Sequence, residues 1–196
     1  MNDQSYIELE VMGTGRAAHD RNAFLMLLRE TDGDRCLPVV IGPAEAQAIA
    51  AVVNGVEFPR PLTVDLMVSL CHQAGYTLES VRIHTIDNGI FFADIELRHE
   101  GLTTVIDARA SDAVALALRM SAPILCAADV MDTVGFHGKI RKVSESDLED
   151  IEQETLTPLE RLQRQLQQCI ETEDYEQAAE IQKKITELTG QSGQNQ

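Results

Sequence analysis

The chain has 196 residues, 44% of them hydrophobic, and no apolar run approaches the roughly 20 residues of a membrane-spanning helix, which excludes that class. Its formal net charge is −16: residues 1–140 hold 10 basic and 19 acidic side chains, residues 141–156 hold 2 and 6, and residues 157–196 hold 4 and 7. Because no segment is basic, the charge excludes the usual route to tight nucleic-acid binding, in which clustered Lys and Arg displace counterions from phosphate.

The chain is predicted to begin with three strands. Residues 6–12 alternate into an apolar strand. Two further apolar runs, 23–29 and 36–41, flank the sequence Glu-Thr-Asp-Gly-Asp at 30–34. A turn signal between two apolar runs is typical of a β-hairpin.

Two helices and a stiff loop are expected next. Gly-Pro at 42–43 places glycine at the cap and proline at the first position of a helix that ends at Asn-Gly, 54–55. Phe-Pro-Arg-Pro at 58–61 cannot be helical, because its two prolines hold the preceding residues extended. Thr63 is expected to cap a second helix over residues 64–74.

A second hairpin and a second strand–helix unit complete the pattern. Residues 77–86 and 90–98 flank Asn-Gly, the strongest short hairpin signal. Residues 102–106 form a further strand, and Ser111 is expected to cap an alanine-rich helix over residues 112–120. With a short strand at 123–127, the sum is six or seven strands and three helices, an α+β fold with helices packed on a mixed β-sheet.

Residues 141–196 differ in composition from the rest, so we divide the chain into four parts. Residues 1–140 form the α+β domain and residues 141–156 an acidic linker. Two amphipathic helices with a tight turn are predicted over residues 157–190, an αα-hairpin, and residues 191–196 are predicted to be disordered.

Three short blocks of the α+β domain combine acids with a proline or a helix start, and two of them add an arginine. They are Ile-Gly-Pro-Ala-Glu-Ala at 41–46, Glu-Phe-Pro-Arg-Pro-Leu-Thr-Val-Asp at 57–65, and Ile-Asp-Ala-Arg-Ala-Ser-Asp-Ala at 106–113. The blocks, their order and their spacing resemble the bifunctional nuclease domain family, over about residues 6–134. The resemblance implies hydrolysis of DNA or RNA phosphodiester bonds with a divalent metal, Mg²⁺ or Mn²⁺.

Acids and arginines on fixed backbone suit metal-assisted phosphate chemistry, and such blocks can converge in space. We expect Glu57, Asp107 and Asp112 to be catalytic and to hold metal, with Asp65 and Glu45 as further metal ligands. The natural phosphate contacts are the two arginines of the blocks, Arg60 and Arg109.

Several of these assignments have a structural alternative, whereas no helix start accounts for Glu57 and Asp107. Glu45, Asp65 and Asp112 fall in the first turn of predicted helices, where a carboxylate is stabilised by the helix dipole without any metal. An intramolecular ion pair, Arg60 with Glu57 or Arg109 with Asp112, also accounts for the arginines, and the surplus of acids nearby favours it.

Three further residues have only structural interpretations. His72 and His84 have no partner at a ligand spacing, which indicates ordinary histidines rather than metal ligands. Ser111 lies in no nucleophile motif and is explained as a helix cap.

The C-terminal hairpin resembles the UVR motif of the UvrB and UvrC repair proteins, most closely in Ile-Glu-Thr-Glu-Asp-Tyr-Glu-Gln-Ala-Ala-Glu-Ile at 170–181. In the repair proteins the similar module binds another such module. Two short helices bury too little surface to be stable alone, so the apolar stripe must pack on the α+β domain of the same chain, on a second copy or on a partner's matching hairpin. The acidic linker before the hairpin favours a partner protein or a second copy. The expected contact residues are Leu162, Leu166, Tyr175, Ala178, Ile181 and Ile185.

The sequence therefore predicts a cytoplasmic, bacterial-type, homo-oligomeric protein with no export signal and four thiols that are buried or half-buried in a reducing compartment. The leading function is a metal-dependent nuclease that carries a protein-interaction hairpin. The alternative is a non-enzymatic adaptor or ligand-sensing module, favoured by the charge of −16 and by the hairpin.

Overall fold

A computed structural model describes residues 5–17 and 23–138, together with ten residues nearer the C-terminus: 162, 165, 166, 169, 177 and 181–185. The chain divides into two compact units, Met1–Glu149 and Asp150–Gln196. The predicted linker and the predicted disordered tail lie outside the described residues.

The described residues of the first unit form an eight-stranded sheet with four helices. The strands follow the order β6-β5-β4-β7-β1-β2-β3-β8 across the sheet. All neighbouring pairs are antiparallel except β4 with β7, so the sheet is mixed. The strands are β1 Tyr6–Arg16, β2 Phe24–Glu30, β3 Arg35–Ile41, β4 Thr77–Asp87, β5 Ile90–His99, β6 Leu102–Arg109, β7 Ile124–Ala127 and β8 Phe136–His137. The helices are α1 Pro43–Val53, α2 Thr63–Gln73, α3 Ala110–Met120 and α4 Ala128–Val134.

This architecture confirms the predicted α+β class and both hairpins. The turn between β4 and β5 has positive φ at Asn88 (49°) and Gly89 (79°), the conformation for which Asn-Gly is favoured in two-residue turns. The helix predicted after Gly-Pro is α1, with Gly42 as its N-cap in extended conformation.

Some boundaries differ from the prediction. The expected caps Thr63 and Ser111 are wrong, because Leu62 and Arg109 are the N-caps of α2 and α3 and both predicted caps lie inside the helices. Strand β6 runs to Arg109, three residues further than expected. Helix α4 and strand β8 are too short to give a periodic signal in the sequence.

Helix α3 lies at the centre of the helical layer. It contacts α1 and α2 on its sides and strands β4 and β5 below. Ala113 and Ala117 are fully buried, and because their side chains are small, the neighbouring backbones can approach closely. The alanine-rich sequence of α3 therefore sets the spacing at which the three helices meet.

The second unit is helical at every described position. Ile181 and Ile185 are 9% and 8% exposed, and Leu162 and Leu166 are half-buried. These four belong to the predicted apolar stripe, whereas the other two predicted contact residues, Tyr175 and Ala178, lie outside the described residues. The αα-hairpin as a whole stays a prediction.

The cysteines match the expectation of buried or half-buried free thiols. Cys36 and Cys126 are buried, Cys71 and Cys169 are half-buried, and none forms a disulfide. Burial raises the pKa of the Cys126 thiol to about 12, so this thiol stays protonated and unreactive near neutral pH. Within the described residues no helix is both long and apolar enough to cross a bilayer.

Candidate phosphate site at three helix N-termini

A cavity of about 280 Å³ opens where the first turns of α1, α2 and α3 meet. All three of the sequence blocks contribute to its wall, so side chains more than 60 residues apart in the chain come together. The lining residues are Ala44, Glu45, Gln47, Ala48, Leu62, Thr63, Val64, Met67, Arg109, Asp112 and Ala115.

The backbone around the cavity has the character of an anion site. The N-caps Gly42, Leu62 and Arg109 are all extended, and none makes a side-chain capping hydrogen bond. The N-terminus of a helix carries a partial positive charge and N–H groups without intrahelical partners. Three such ends around one cavity favour a negatively charged ligand.

The lack of a side chain at Gly42 leaves room for the carboxylate of Glu45. A Cβ atom at position 42 would lie 2.5 Å from Glu45 Oε2, closer than van der Waals contact allows. The carboxylate of Glu45 therefore folds back over the start of its own helix, and its side chain is only 19% exposed.

Arg109 joins two of the acids at the cavity. Its Nε donates to Asp112 Oδ2 at 2.7 Å, while Nη2 donates to Asp112 Oδ1 at 3.1 Å and to Glu45 Oε1 at 2.7 Å. The two carboxylates raise the pKa of the Arg109 guanidinium above its ordinary value, Asp112 more than Glu45. The Arg109 side chain is nevertheless 67% exposed, and Nη1 donates to no described residue.

The predicted ion pair of Arg109 with Asp112 is thus present, and the contact with Glu45 adds to it. The other predicted pair is absent from the described part of the chain: Arg60 makes no ion pair with Glu57. Both of these side chains are exposed in the loop between α1 and α2, and neither lines the cavity.

Asp65 is held in a structural role. It accepts a hydrogen bond from the Leu62 N–H at 2.7 Å and is paired with Arg119. Arg119 is 9% exposed and also donates to the carbonyl oxygens of Ala48 and Ala115. The hydrogen bond from Arg119 holds the pKa of the Asp65 carboxyl below its ordinary value, and the hydrogen bond from the Leu62 N–H lowers it further. Asp65 and Arg119 thereby tie the three helices together behind the cavity.

Asp107 lies away from the cavity. In the β5–β6 ladder it is directly opposite Asp94, and its neighbours Ile106 and Ala108 are opposite the buried Ile95 and Ala93. Because side chains alternate along a strand, Asp107 and Asp94 share the sheet face that points away from those buried side chains. Asp107 is exposed there.

The described residues contain no group of three or more His, Cys, Asp or Glu side chains placed to hold a metal ion. Glu45 and Asp112 form the best-placed pair, since an oxygen of each lies within 3.1 Å of the same cationic nitrogen, Nη2 of Arg109. Mg²⁺ is commonly held by one or two carboxylates and completes its shell with water and phosphate oxygens. The carboxylates of Glu45 and Asp112 therefore suit a hydrated divalent ion, which would replace the Arg109 guanidinium between them.

The histidines and Ser111 take up structural positions. His72 is exposed on α2, and His84 lies 3.6 Å from Asp94 and 2.9 Å from the Thr85 hydroxyl. Ser111 is buried in the first turn of α3. None of the three lines the cavity.

Two contacts of the site have no signal in the sequence: Arg109 with Glu45, and Arg119 with Asp65. They join residues 64 and 54 positions apart. The last-turn position of Arg119 on α3 suits the dipole of its own helix, so nothing local indicates that it reaches another helix.

The comparisons with known proteins agree with this picture. Residues 26–139 match the bifunctional nuclease domain and residues 157–191 match the UvrB/UvrC motif. Uncharacterized proteins from two strains of Mycobacterium tuberculosis are 42% identical over 128 residues, which is 65% of this chain and 76% of theirs. The domain match includes all three blocks and all three helices of the cavity, and the chain belongs to the bifunctional nuclease domain family.

Proposed function

We propose that the protein hydrolyses phosphodiester bonds of RNA or DNA at the cavity between α1, α2 and α3, with Mg²⁺ or Mn²⁺ as cofactor. The observation that carries the proposal is the meeting of Glu45, Arg109 and Asp112 at three helix N-termini whose N-cap side chains make no capping hydrogen bond. Membership of the family supports the class of reaction.

Arg109 is the phosphate ligand in this proposal. Its Nη1 donates to no described residue and its side chain is 67% exposed. Its Nε and Nη2 donate to Asp112 and Glu45, and they would be released to phosphate when a divalent ion takes those two carboxylates. A guanidinium binds phosphate through two parallel hydrogen bonds. The first-turn N–H groups of the three helices add donors and a partial positive charge.

Glu45 and Asp112 are the residues that would hold the divalent ion. Such an ion supplies polarisation of a phosphoryl oxygen and activation of water. In its absence the two carboxylates and one guanidinium leave the site with a charge of −1, on a chain of charge −16. Nucleic-acid binding is therefore expected to require the cation, since a bound divalent ion inverts the local sign.

We treat Glu57 and Asp107 separately from the residues of the cavity. Neither lines the cavity, so if they act as ligands or catalytic groups, they do so on a part of the substrate outside it. Arg60, exposed on the same loop as Glu57, is the phosphate contact that would accompany them.

A cleavage assay with matched variants tests the proposal. Full-length protein is incubated with single-stranded RNA and with plasmid DNA, with Mg²⁺ or Mn²⁺ and with chelator. We expect metal-dependent cleavage that falls about a hundredfold in the Glu45→Gln/Asp112→Asn double variant, a loss typical of removing charge stabilisation at a reacting phosphate. A Glu57→Gln/Asp107→Asn double variant tests the outer acids independently.

Glu10→Gln is the matched control, because Glu10 is also an exposed carboxylate paired with an arginine, Arg29. It should cleave at the wild-type rate. Equal trace cleavage by wild type and both double variants would show contamination and overturn the nuclease proposal.

That result would favour a second function, an adaptor or ligand-sensing module. Its support is the UvrB/UvrC motif together with the acidic surface, because like charge keeps nucleic acid at a distance and leaves protein partners favoured. The contact surface would include Leu162, Leu166, Ile181 and Ile185, of which the two isoleucines are buried and the two leucines half-buried.

A further inference from the structure

Strand β6 is the outermost strand at one edge of the sheet. It pairs with β5 along its whole length without a register shift. Every residue of β6 except Ala108 is exposed. Leu102 is 74%, Val105 50% and Ile106 45% exposed. An eight-residue edge with three exposed aliphatic side chains is a surface that a monomer normally avoids.

The two edge strands of the sheet differ in length. The opposite edge is β8, which has only two residues and so offers little backbone for pairing. Natural proteins also protect edges with charged side chains, above all lysine, and with proline, bulges or a covering element. β6 contains no lysine or proline, and its ladder with β5 has no bulge. Its two charged residues, Asp107 and Arg109, both lie near its C-terminal end and leave residues 102–106 uncharged. Within the described residues no strand pairs with its outer side.

We propose that β6 pairs with β6 of a second copy of this chain, antiparallel and about a twofold axis. A twofold axis perpendicular to the sheet pairs each residue with a residue whose side chain lies on the same face of the sheet. Because side chains alternate along a strand, one central residue must then lie opposite its own copy, next to the axis. The middle of the strand offers Val105 or Ile106 for that position.

The charges of β6 fit this pairing. With Val105 at the axis, Asp107 lies opposite Thr103 of the other copy and Ile106 lies opposite Thr104. With Ile106 at the axis, Asp107 lies opposite Val105 and Arg109 lies opposite Thr103. In neither register does a charged residue face its own copy, which would be destabilising.

The pairing has a consequence for the cavity. Arg109 is both the last residue of β6 and the N-cap of α3, so pairing would hold the backbone that positions Arg109 from both sides. The two copies of Arg109 would lie at opposite ends of the paired strands.

The test is the mass of the full-length protein in solution, measured by light scattering after size exclusion. We expect a dimer with twice the 21.6 kDa of one chain. The Val105→Lys/Ile106→Lys variant should run at 21.6 kDa, because it places lysine against lysine at the axis in either register and introduces the residue that natural edges use for protection. Val40→Lys/Val53→Lys, at two other exposed valines (69% and 40%), is the matched control and should remain dimeric.

Amide hydrogen exchange gives a second readout that is specific to the strand. Amides of β6 on its outer side should exchange at least about tenfold faster in the lysine variant than in wild type, with β5 unchanged. A monomeric wild type at every concentration measured, or a lysine variant that stays dimeric, would overturn the proposal. In the second case the copies are held by another surface, such as the C-terminal hairpin.

Discussion

The helical layer contains two arginine–carboxylate clusters, and their arginines differ mainly in burial. Arg119 is 9% exposed and pairs with Asp65, whereas Arg109 is 67% exposed and pairs with Glu45 and Asp112. A buried guanidinium cannot lose its carboxylate without becoming an uncompensated charge, and this holds for Arg119 although its partner Asp65 is 36% exposed. An exposed pair contributes little to stability and can exchange its partner for a ligand.

Arginine–carboxylate contacts therefore serve two purposes in the same helical layer: Arg119 reaches from the last turn of α3 to Asp65 in the first turn of α2, and Arg109 pairs with acids in the first turns of α1 and α3. The Arg119 cluster holds α1, α2 and α3 together, and the Arg109 cluster presents charge to the cavity that this packing creates. Substitutions in the two clusters should therefore separate stability from activity.

The largest expected effect is on the cleavage rate of Arg109→Ala. This substitution removes the proposed phosphate ligand and should lower metal-dependent cleavage by about a hundredfold or more. Stability should change by less than about 1 kcal/mol, because the guanidinium that is removed is 67% exposed and ion pairs of exposed side chains contribute little. Cleavage is measured together with the thermal midpoint, and a midpoint that falls as far as the activity would show a structural role.

The next effect is on the stability of Arg119→Ala. Removing the guanidinium leaves the carbonyl oxygens of Ala48 and Ala115 without their donor and leaves Asp65 without its cation. We expect the free energy of unfolding to fall by about 3 kcal/mol, measured by denaturant titration. A loss below about 1 kcal/mol would mean that the buried cluster is no more structural than the exposed one.

A smaller effect is expected on stability at low pH. The folded pKa of Asp65 lies below its unfolded value of about 3.9, chiefly because Arg119 is bonded to the carboxylate. The resulting stabilisation is present above the unfolded pKa and is lost as the pH falls through the folded pKa. Asp65→Asn should therefore be less stable than wild type at pH 6, and the difference should shrink below about pH 4. A difference independent of pH would remove the titration of Asp65 from the explanation.

The smallest effect should come from Glu10→Gln, which breaks an exposed ion pair with Arg29 away from both clusters. Stability should change by less than about 0.5 kcal/mol, and the cleavage rate should not change. A larger loss of stability in the same denaturant titration would indicate that exposed ion pairs stabilise this protein more than we assume.

Much of the fold could be predicted from the sequence because it is encoded locally. Gly42-Pro43 marks the start of α1, and Asn88-Gly89 marks the turn between β4 and β5. The ion pair of Arg109 with Asp112 was also accessible, since residues three apart are neighbours on a helix.

The arrangement of the candidate site could not be predicted in the same way. Which acids meet depends on the packing of three helices around α3, so Glu45 joins Arg109 while Glu57 and Asp107 do not line the cavity. The caps were misplaced because Leu62 and Arg109 adopt the extended cap conformation without a capping side chain, and cap prediction relies on that side chain.

The most direct test of the comparison is a magnetic resonance titration that observes the arginine Nε–H groups of the folded protein. A short, non-cleavable phosphorothioate RNA is added in the presence of Mg²⁺. The account predicts that the Arg109 resonance shifts until the site is saturated, while the Arg119 resonance does not move. A stationary Arg109 resonance, or equal shifts of both, would contradict the assignment of the exposed cluster to substrate and the buried cluster to structure.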